Sequence, residues 1–208
     1  MAQQMKNKTG LKQAERRQVM KKRIMEATLS CLSQAGYAST SITQIQKKSG
    51  VSRGGLLHHY PTKCELVAAA IDYFYRERQY RFEQQLLGVE NEKISLRDRL
   101  LVFKNDIDLH FETTLEIVVA QRTDPELVKL VEKLTTVDDA KTRAKQYEDF
   151  FPQFSSKPSA QNLIGLLVCF LRGLSMEAMN SSKEHVMAIF DLFDEMLEDH
   201  ITELNVVI

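Results

Sequence analysis

A chain of 208 residues, 43% hydrophobic and 27% charged, is long enough to bury a core without disulfides or metals and has the composition of an ordinary soluble protein. Its three cysteines, Cys31, Cys64 and Cys169, are odd in number and far apart, which argues against a disulfide framework and for a reducing, cytoplasmic setting. The start, MAQQMKNKTGLKQAERRQ, has no apolar segment of the export type, and the longest apolar stretch, Leu163 to Leu171, is far below membrane-spanning length, so no membrane partner is expected. The net charge of zero conceals a division. Through Lys63 the chain carries 12 Lys and Arg against Glu15 and Glu26, a net +10, while the remaining 145 residues hold 16 basic and 26 acidic side chains, a net −10. A short basic body suits a polyanion binder, because each phosphate neutralised releases counterions; a merely solvated basic surface would carry the same charge.

With 8 glycines, 4 prolines and apolar residues recurring at three and four, the pattern predicts an all-α fold of about nine helices. Ile24, Ala27, Thr28, Cys31, Leu32 and Ala35 make a first amphipathic stripe behind a basic N-terminal arm, and Gly36 is placed to end that helix in a left-handed cap. Ser41-Ile42-Thr43-Gln44 is a capping-box pattern, so a short second helix runs to about Ser49. Gly50-Val51-Ser52 supplies a tight turn and a new cap, and a third helix runs from Arg53 to Tyr60 before Pro61 stops it. Thr62 with Glu65 caps the fourth. The remainder reads as helices of about 62–87, 94–112, 113–122, 124–150, 159–179 and 183–204, with Asp124-Pro125 a cap and first-turn pair and Ser181 with Glu184 boxing the last.

A helix, a glycine-containing turn and a short helix within residues 41–60 form the arrangement that lays the second helix in the major groove while the first crosses the backbone. The segment from Ser41 to Lys63, SITQIQKKSGVSRGGLLHHYPTK, resembles the DNA-binding signature of the TetR family of transcriptional regulators almost position for position. The resemblance in motif covers about residues 20–75; beyond it the likeness lies in helix count and length. Three positions depart from the family pattern. Gln46 stands where a small alanine is usual, Gly55 where threonine or serine is frequent, and Leu57 where an aromatic that touches phosphate is common. Gly54-Gly55 lowers helix propensity by about 1 kcal/mol per glycine yet lets the backbone approach a duplex, which predicts a recognition helix that DNA helps to order.

The resemblance implies that Thr43 and Lys47 approach phosphates from the second helix and that Ser52, Arg53, Gly54 and Gly55 face the groove. Arg53 is the candidate base reader, because a guanidinium pairs bidentately with guanine. His58 and His59 fall where the family contacts phosphate or a base edge, Tyr60 matches its backbone-packing aromatic, and Lys63 matches its phosphate-holding lysine. Ile42, Ile45, Val51 and Leu56 are left for a small core. His58 and His59 with Cys64 could suggest a metal, but adjacent helical residues point about 100° apart, and no metal or other cofactor is expected.

The last two helices are too apolar for the surface of a monomer. Leu163, Leu167, Phe170 and Leu174 crowd one, Ile189, Phe190, Phe193 and Leu197 the other, and two such helices from each of two copies would form a four-helix bundle about a two-fold axis. The homodimer implied by the resemblance would hold two recognition helices about 34 Å apart for a palindromic operator. The resemblance further implies a small apolar effector that releases DNA, with Tyr73, Phe103, Ile107, His110, Phe111, Phe150 and Phe151 as candidate lining. The expected organisation is an arm and helix-turn-helix domain at 1–62 and an effector-binding and dimerisation domain at 63–208. The expected function is therefore a ligand-responsive repressor rather than an enzyme, there being no nucleophile motif, metal spacing or phosphate loop. A helical dimeric adaptor that binds protein partners, without effector control, is the alternative.

Overall fold

Helical periodicity governs the whole of the computed structural model, which describes residues 2–87, 94–134, 137–155 and 160–206. Among the described residues every regular element is a helix: α1 (Ala2–Ser39), α2 (Ile42–Ser49), α3 (Arg53–His59), α4 (Lys63–Leu87), α5 (Leu96–Thr123), α6 (Pro125–Leu134), α7 (Val137–Phe150), α8 (Pro152–Ser155), α9 (Ala160–Glu177) and α10 (Lys183–Val206). No helix among these residues is long and apolar enough to cross a membrane.

The sequence expectation fails at three places in the second half. No break occurs at 112/113, where Thr113 and Thr114 remove no amide and carry no helix-stopping ring, so α5 continues to Thr123. Asp124 then ends it and caps the next helix, its Oδ1 accepting from the amides of Glu126 (3.0 Å) and Leu127 (3.2 Å). The single helix expected over 124–150 is instead α6 and α7. The cap of α10 lies one residue later than expected, since it is Ser182, not Ser181, whose hydroxyl accepts from the amide of His185.

The chain packs as two units, Met1–Tyr80 with Glu112–Thr136, and Arg81–Phe111 with Val137–Ile208. Packing thus divides the chain differently from charge, which changes sign after Lys63. In the first unit, α1 buries Ile24, Met25, Ala27, Thr28, Cys31 and Leu32, a spacing of three and four that sets one face inward. Gly36 interrupts α1 at φ 72°, ψ 168°, a conformation open to glycine almost alone, and a Cβ there would meet the Glu116 carboxylate at 3.2 Å. The expected left-handed cap is therefore an extended kink, after which one further turn ends where the Thr40 hydroxyl donates to the Gly36 carbonyl (2.7 Å).

The second unit is organised by aromatic rings. Phe82, Phe103, Phe150, Phe151 and Phe154 are buried, with Phe103 set edge-on to Phe151 at 5.6 Å and to the half-buried Tyr147 at 5.2 Å. Arg99, itself buried, lies over Phe150 and donates to the Phe150 carbonyl (2.7 Å), so the charge enters the core with an acceptor. Arg97 bridges Asp191 and Asp194 and fixes the start of α5 to α10.

Gly36→Ala is expected to cost about 1–3 kcal/mol, because it forces a side chain into a glycine-only conformation against Glu116. Urea unfolding of the two proteins measures it, and equal midpoints would refute the assignment of strain.

Candidate nucleic-acid interface

Helices of eight and seven residues gain too few internal hydrogen bonds to persist in water, so α2 and α3 need fixed ends. Ser41 supplies the first: its hydroxyl accepts from the Gln44 amide (3.3 Å), and Gln44 Oε1 accepts from the Ser41 amide (2.8 Å). Gly50 closes α2 in the left-handed conformation (φ 68°), its amide donating to the Gln46 carbonyl (3.0 Å). Ser52 opens α3 by accepting from the Gly55 amide (3.2 Å), and Thr62 with Glu65 closes a reciprocal pair at the head of α4. Ile45 and Leu56 then bury completely against Ile24, Met25, Leu66 and Ala70, while Ile42, Val51 and Tyr60 pack on that cluster half-buried. Two short helices are thereby held at a fixed angle on a rigid base.

Their outer surface carries the polar groups. Thr43, Lys47, Ser52, Arg53, Gly54, His58 and His59 are all exposed, and Arg53 Nη1 donates to Thr43 Oγ1 (3.4 Å), which joins the two across the turn. Gly54 has open space where a Cβ would stand, so backbone can approach a ligand there. Gly55 is half-buried, and a Cβ on it would meet the capping hydroxyl of Ser52 at 3.2 Å, so its missing side chain points at its own cap.

Lys63 also differs from a free phosphate ligand. It is half-buried, its ammonium donates to the Tyr37 carbonyl and lies 4.2 Å from the centre of the Tyr37 ring, and burial lowers its pKa. Tyr37 in turn donates to Asp124 Oδ2 (2.5 Å), and burial together with that bond pushes the phenol pKa strongly up. The same bond holds the Asp124 carboxyl below its usual range. Sequence reasoning missed this chain of contacts. Asp124 is legible as a helix cap, but a partner 87 positions away leaves no local signal.

In the second unit, Phe103, Ile107, Phe150 and Phe151 are brought together in the aromatic core, and Phe111 is half-buried. His110 lies beside Asp106, its Nδ1 3.3 Å from the carboxylate, and both are mostly buried. Tyr73 packs on the Ile45–Leu56 cluster of the first unit, so the structure does not assemble it into the aromatic core. The eight residues expected at a dimer seam separate. Leu167, Leu174, Phe190 and Leu197 are buried within their own chain and cannot form an exposed seam, whereas Leu163, Phe170, Ile189 and Phe193 are half-buried, with the Phe170 and Phe193 rings stacked at 3.7 Å. Among the described residues of these two helices and the turn between them, the large apolar side chains left facing solvent are Leu166, Met176 and Met179 on or just after α9, and Leu192 and Met196 on α10. Periodicity marks an apolar stripe but not which part of it the chain's own core consumes.

A rigid, capped helix-turn-helix that presents arginine, lysine and bare backbone from a strongly basic segment defines a DNA-binding transcriptional regulator. Residues 24–70 match the family described as bacterial regulatory proteins, tetR family. The HTH-type transcriptional regulator CymR of Pseudomonas putida is 28% identical over 80% of this chain and 83% of its own length, and BetI of Pectobacterium atrosepticum strain SCRI 1043 is 24% identical over 86% and 94%. The fold is shared with a transcriptional regulator from Rhodococcus sp. Rha1 (TM-score 0.62, 20% identity, 85% of this chain and 94% of that one) and with Salmonella enterica GusR (TM-score 0.60, 21%, 89% and 94%). The chain thus carries a TetR-family DNA-binding domain and is a DNA-binding transcriptional regulator.

Tyr37→Phe should cost about 1.5–3 kcal/mol at neutral pH, because the lost donor served a charged acceptor. Asp124 has a depressed pKa in the folded state, so this contribution is complete above the ordinary carboxylate pKa of about 4 and is lost as pH falls through the depressed value. Denaturant titrations should show the two proteins converging in strong acid. A gap that stays constant with pH would refute the assignment.

Proposed function

We propose that the protein is a homodimeric repressor that holds a palindromic operator through Thr43, Lys47, Ser52, Arg53, Gly54, His58 and His59, and that a small, largely apolar effector in the second unit releases it. The observation that carries the dimer is the solvent-facing apolar surface of α9 and α10, where Leu166, Leu192 and Met196 are 58%, 58% and 62% exposed while Leu167, Phe190 and Leu197 on the same helices are buried. Burying one such side chain stabilises by about 1.5–3 kcal/mol, and a two-fold axis matches each with a copy of the same surface. Gly165 and Gly173 have open space where side chains would be, which lets a second backbone come close. The same axis doubles the recognition helix, and an operator repeating after one helical turn would engage both. Tyr60 would pack beside the backbone. Gly55 would act by keeping the cap of α3 intact, and Lys63 would reach a phosphate only by leaving the Tyr37 carbonyl.

The effector reading is supported by the aromatic core around Phe103, Phe150 and Phe151, which suits a flat apolar compound. A ligand there acts only through its differential affinity for the DNA-bound and free states, and DNA must weaken its binding by the same factor. The sites the reading requires are DNA, a second copy and a ligand in the cell's reducing interior, with no catalytic step.

Two outcomes test it. Leu192→Asp should give a folded monomer at micromolar concentration by sedimentation, whereas Phe190→Asp, which buries a carboxylate in the core, should unfold the chain; a Leu192→Asp protein that remains dimeric would refute the seam. Arg53→Ala should cost about 1–3 kcal/mol on the preferred duplex and relax choice at one base pair per half-site. Equal losses on preferred and random duplexes would show that Arg53 reads no base.

A further inference from the structure

Apart from the aromatic core of the second unit, the first unit holds a cavity of its own, of about 120 Å³, where α1 passes the end of α3. Arg17, Met20, Lys21 and Ile24, spaced three and four apart, turn one face of α1 into it, and His59 and Tyr60 form the opposite wall. Exposure sorts these groups by depth. Ile24 is buried and Met20 and Tyr60 are half-buried, so they make the interior; Arg17, Lys21 and His59 are exposed, so they make the rim. Burial pushes the Tyr60 phenol pKa up, which keeps that wall neutral, and no acidic side chain among the described residues lines the cavity.

The lining selects its occupant. An inorganic anion would engage the two cations and leave the interior unfilled, while a neutral ring would fill the interior and gain nothing from the rim. A molecule with one ring and one carboxylate uses both, its ring against Met20, Ile24 and Tyr60 and its carboxylate between Arg17 and Lys21. The size agrees, since an apolar cavity of roughly 150 Å³ holds one benzene ring. We propose that this cavity is a second small-molecule site, separate from the aromatic core, which takes an aryl monocarboxylate of about benzoate size, and that its occupant competes directly with DNA. Competition follows from position: the occupant neutralises two cations of the basic segment and stands against His59, a residue assigned above to the operator surface. That consequence rests on the operator-binding reading; the binding itself does not.

The full-length protein, labelled with 13C at its methionine methyls, is titrated at constant ionic strength with sodium benzoate, with benzyl alcohol and with inorganic phosphate. The Met20 signal is the one missing from a Met20→Leu protein. Benzoate should move it saturably, with an affinity about tenfold or more above that of either comparison compound. Arg17→Ala/Lys21→Ala should weaken benzoate about tenfold and leave the thermal midpoint in place, since both side chains are exposed and alanine favours a helix. Arg16→Ala/Lys22→Ala removes the same charge from exposed positions that do not line the cavity, and should leave benzoate binding as it was. A Met20 signal that does not move, equal affinity for benzoate and benzyl alcohol, or equal losses in the two double variants would overturn the site. A duplex enriched from a random library by the wild-type protein then tests the competition. Benzoate should weaken its binding over the same concentration range that moves Met20, and unchanged duplex affinity at saturating benzoate would overturn that part. Failure to enrich any duplex would overturn the operator reading and the competition together, while the Met20 shift would still decide the site.

Discussion

The recognition end depends on hydrogen bonds that fix the ends of very short helices. Seven residues with two adjacent glycines have little helical tendency of their own, yet α3 stands because Ser52 holds its first turn, Leu56 anchors its inner face and Tyr60 closes its end. Each cap is worth about 1 kcal/mol, and the small Ile45–Leu56 core adds the tertiary restraint that caps alone do not give. The result is a rigid base carrying a helix light in side chains. Glycine at position 54 leaves backbone open to a ligand, while glycine at 55 keeps a side chain out of the Ser52 cap.

Charge and packing divide the labour differently along the chain. Basic side chains concentrate before α4, where they can neutralise phosphate, but the packing of that end recruits α4 and residues 112–136 as well. Asp124 shows the connection in chemical terms. One carboxylate oxygen starts α6 and the other takes the phenol of Tyr37, whose carbonyl in turn holds Lys63 at the start of α4. This contact ties the cap of α6 to the last turn of α1 beside the apolar cluster in which Leu32 and Leu127 are buried and on which Tyr37 packs.

The recognition end was legible in the sequence because its determinants are local. The Ser41–Gln44 box, the Gly50 turn, the Ser52 cap and the Thr62–Glu65 pair each lie within four residues of their partners, and the structure has all of them. The long helices were less legible. Thr113-Thr114 carries neither a proline ring nor a missing amide to stop a helix, so its low helical tendency does not end α5, which runs on to Thr123. Phe190 and Leu192 look alike as apolar members of α10, yet one is fully buried and the other 58% exposed, since a stripe wider than the core needs says nothing of which edge is left over. Lys63 was placed by motif as an outward cation; its engagement with Tyr37 depends on where α1 ends after Gly36.

The central claim is that the capped helix-turn-helix reads DNA by electrostatics and by base contacts together. Affinity for a duplex carrying an inverted repeat and for the same duplex with one half-site scrambled, each measured across a range of salt, tests it most directly. The account predicts steep salt dependence for both, with the intact repeat bound about a thousandfold more tightly or better at physiological salt. Equal affinity for the two sequences, or affinity that does not change with salt, would contradict it.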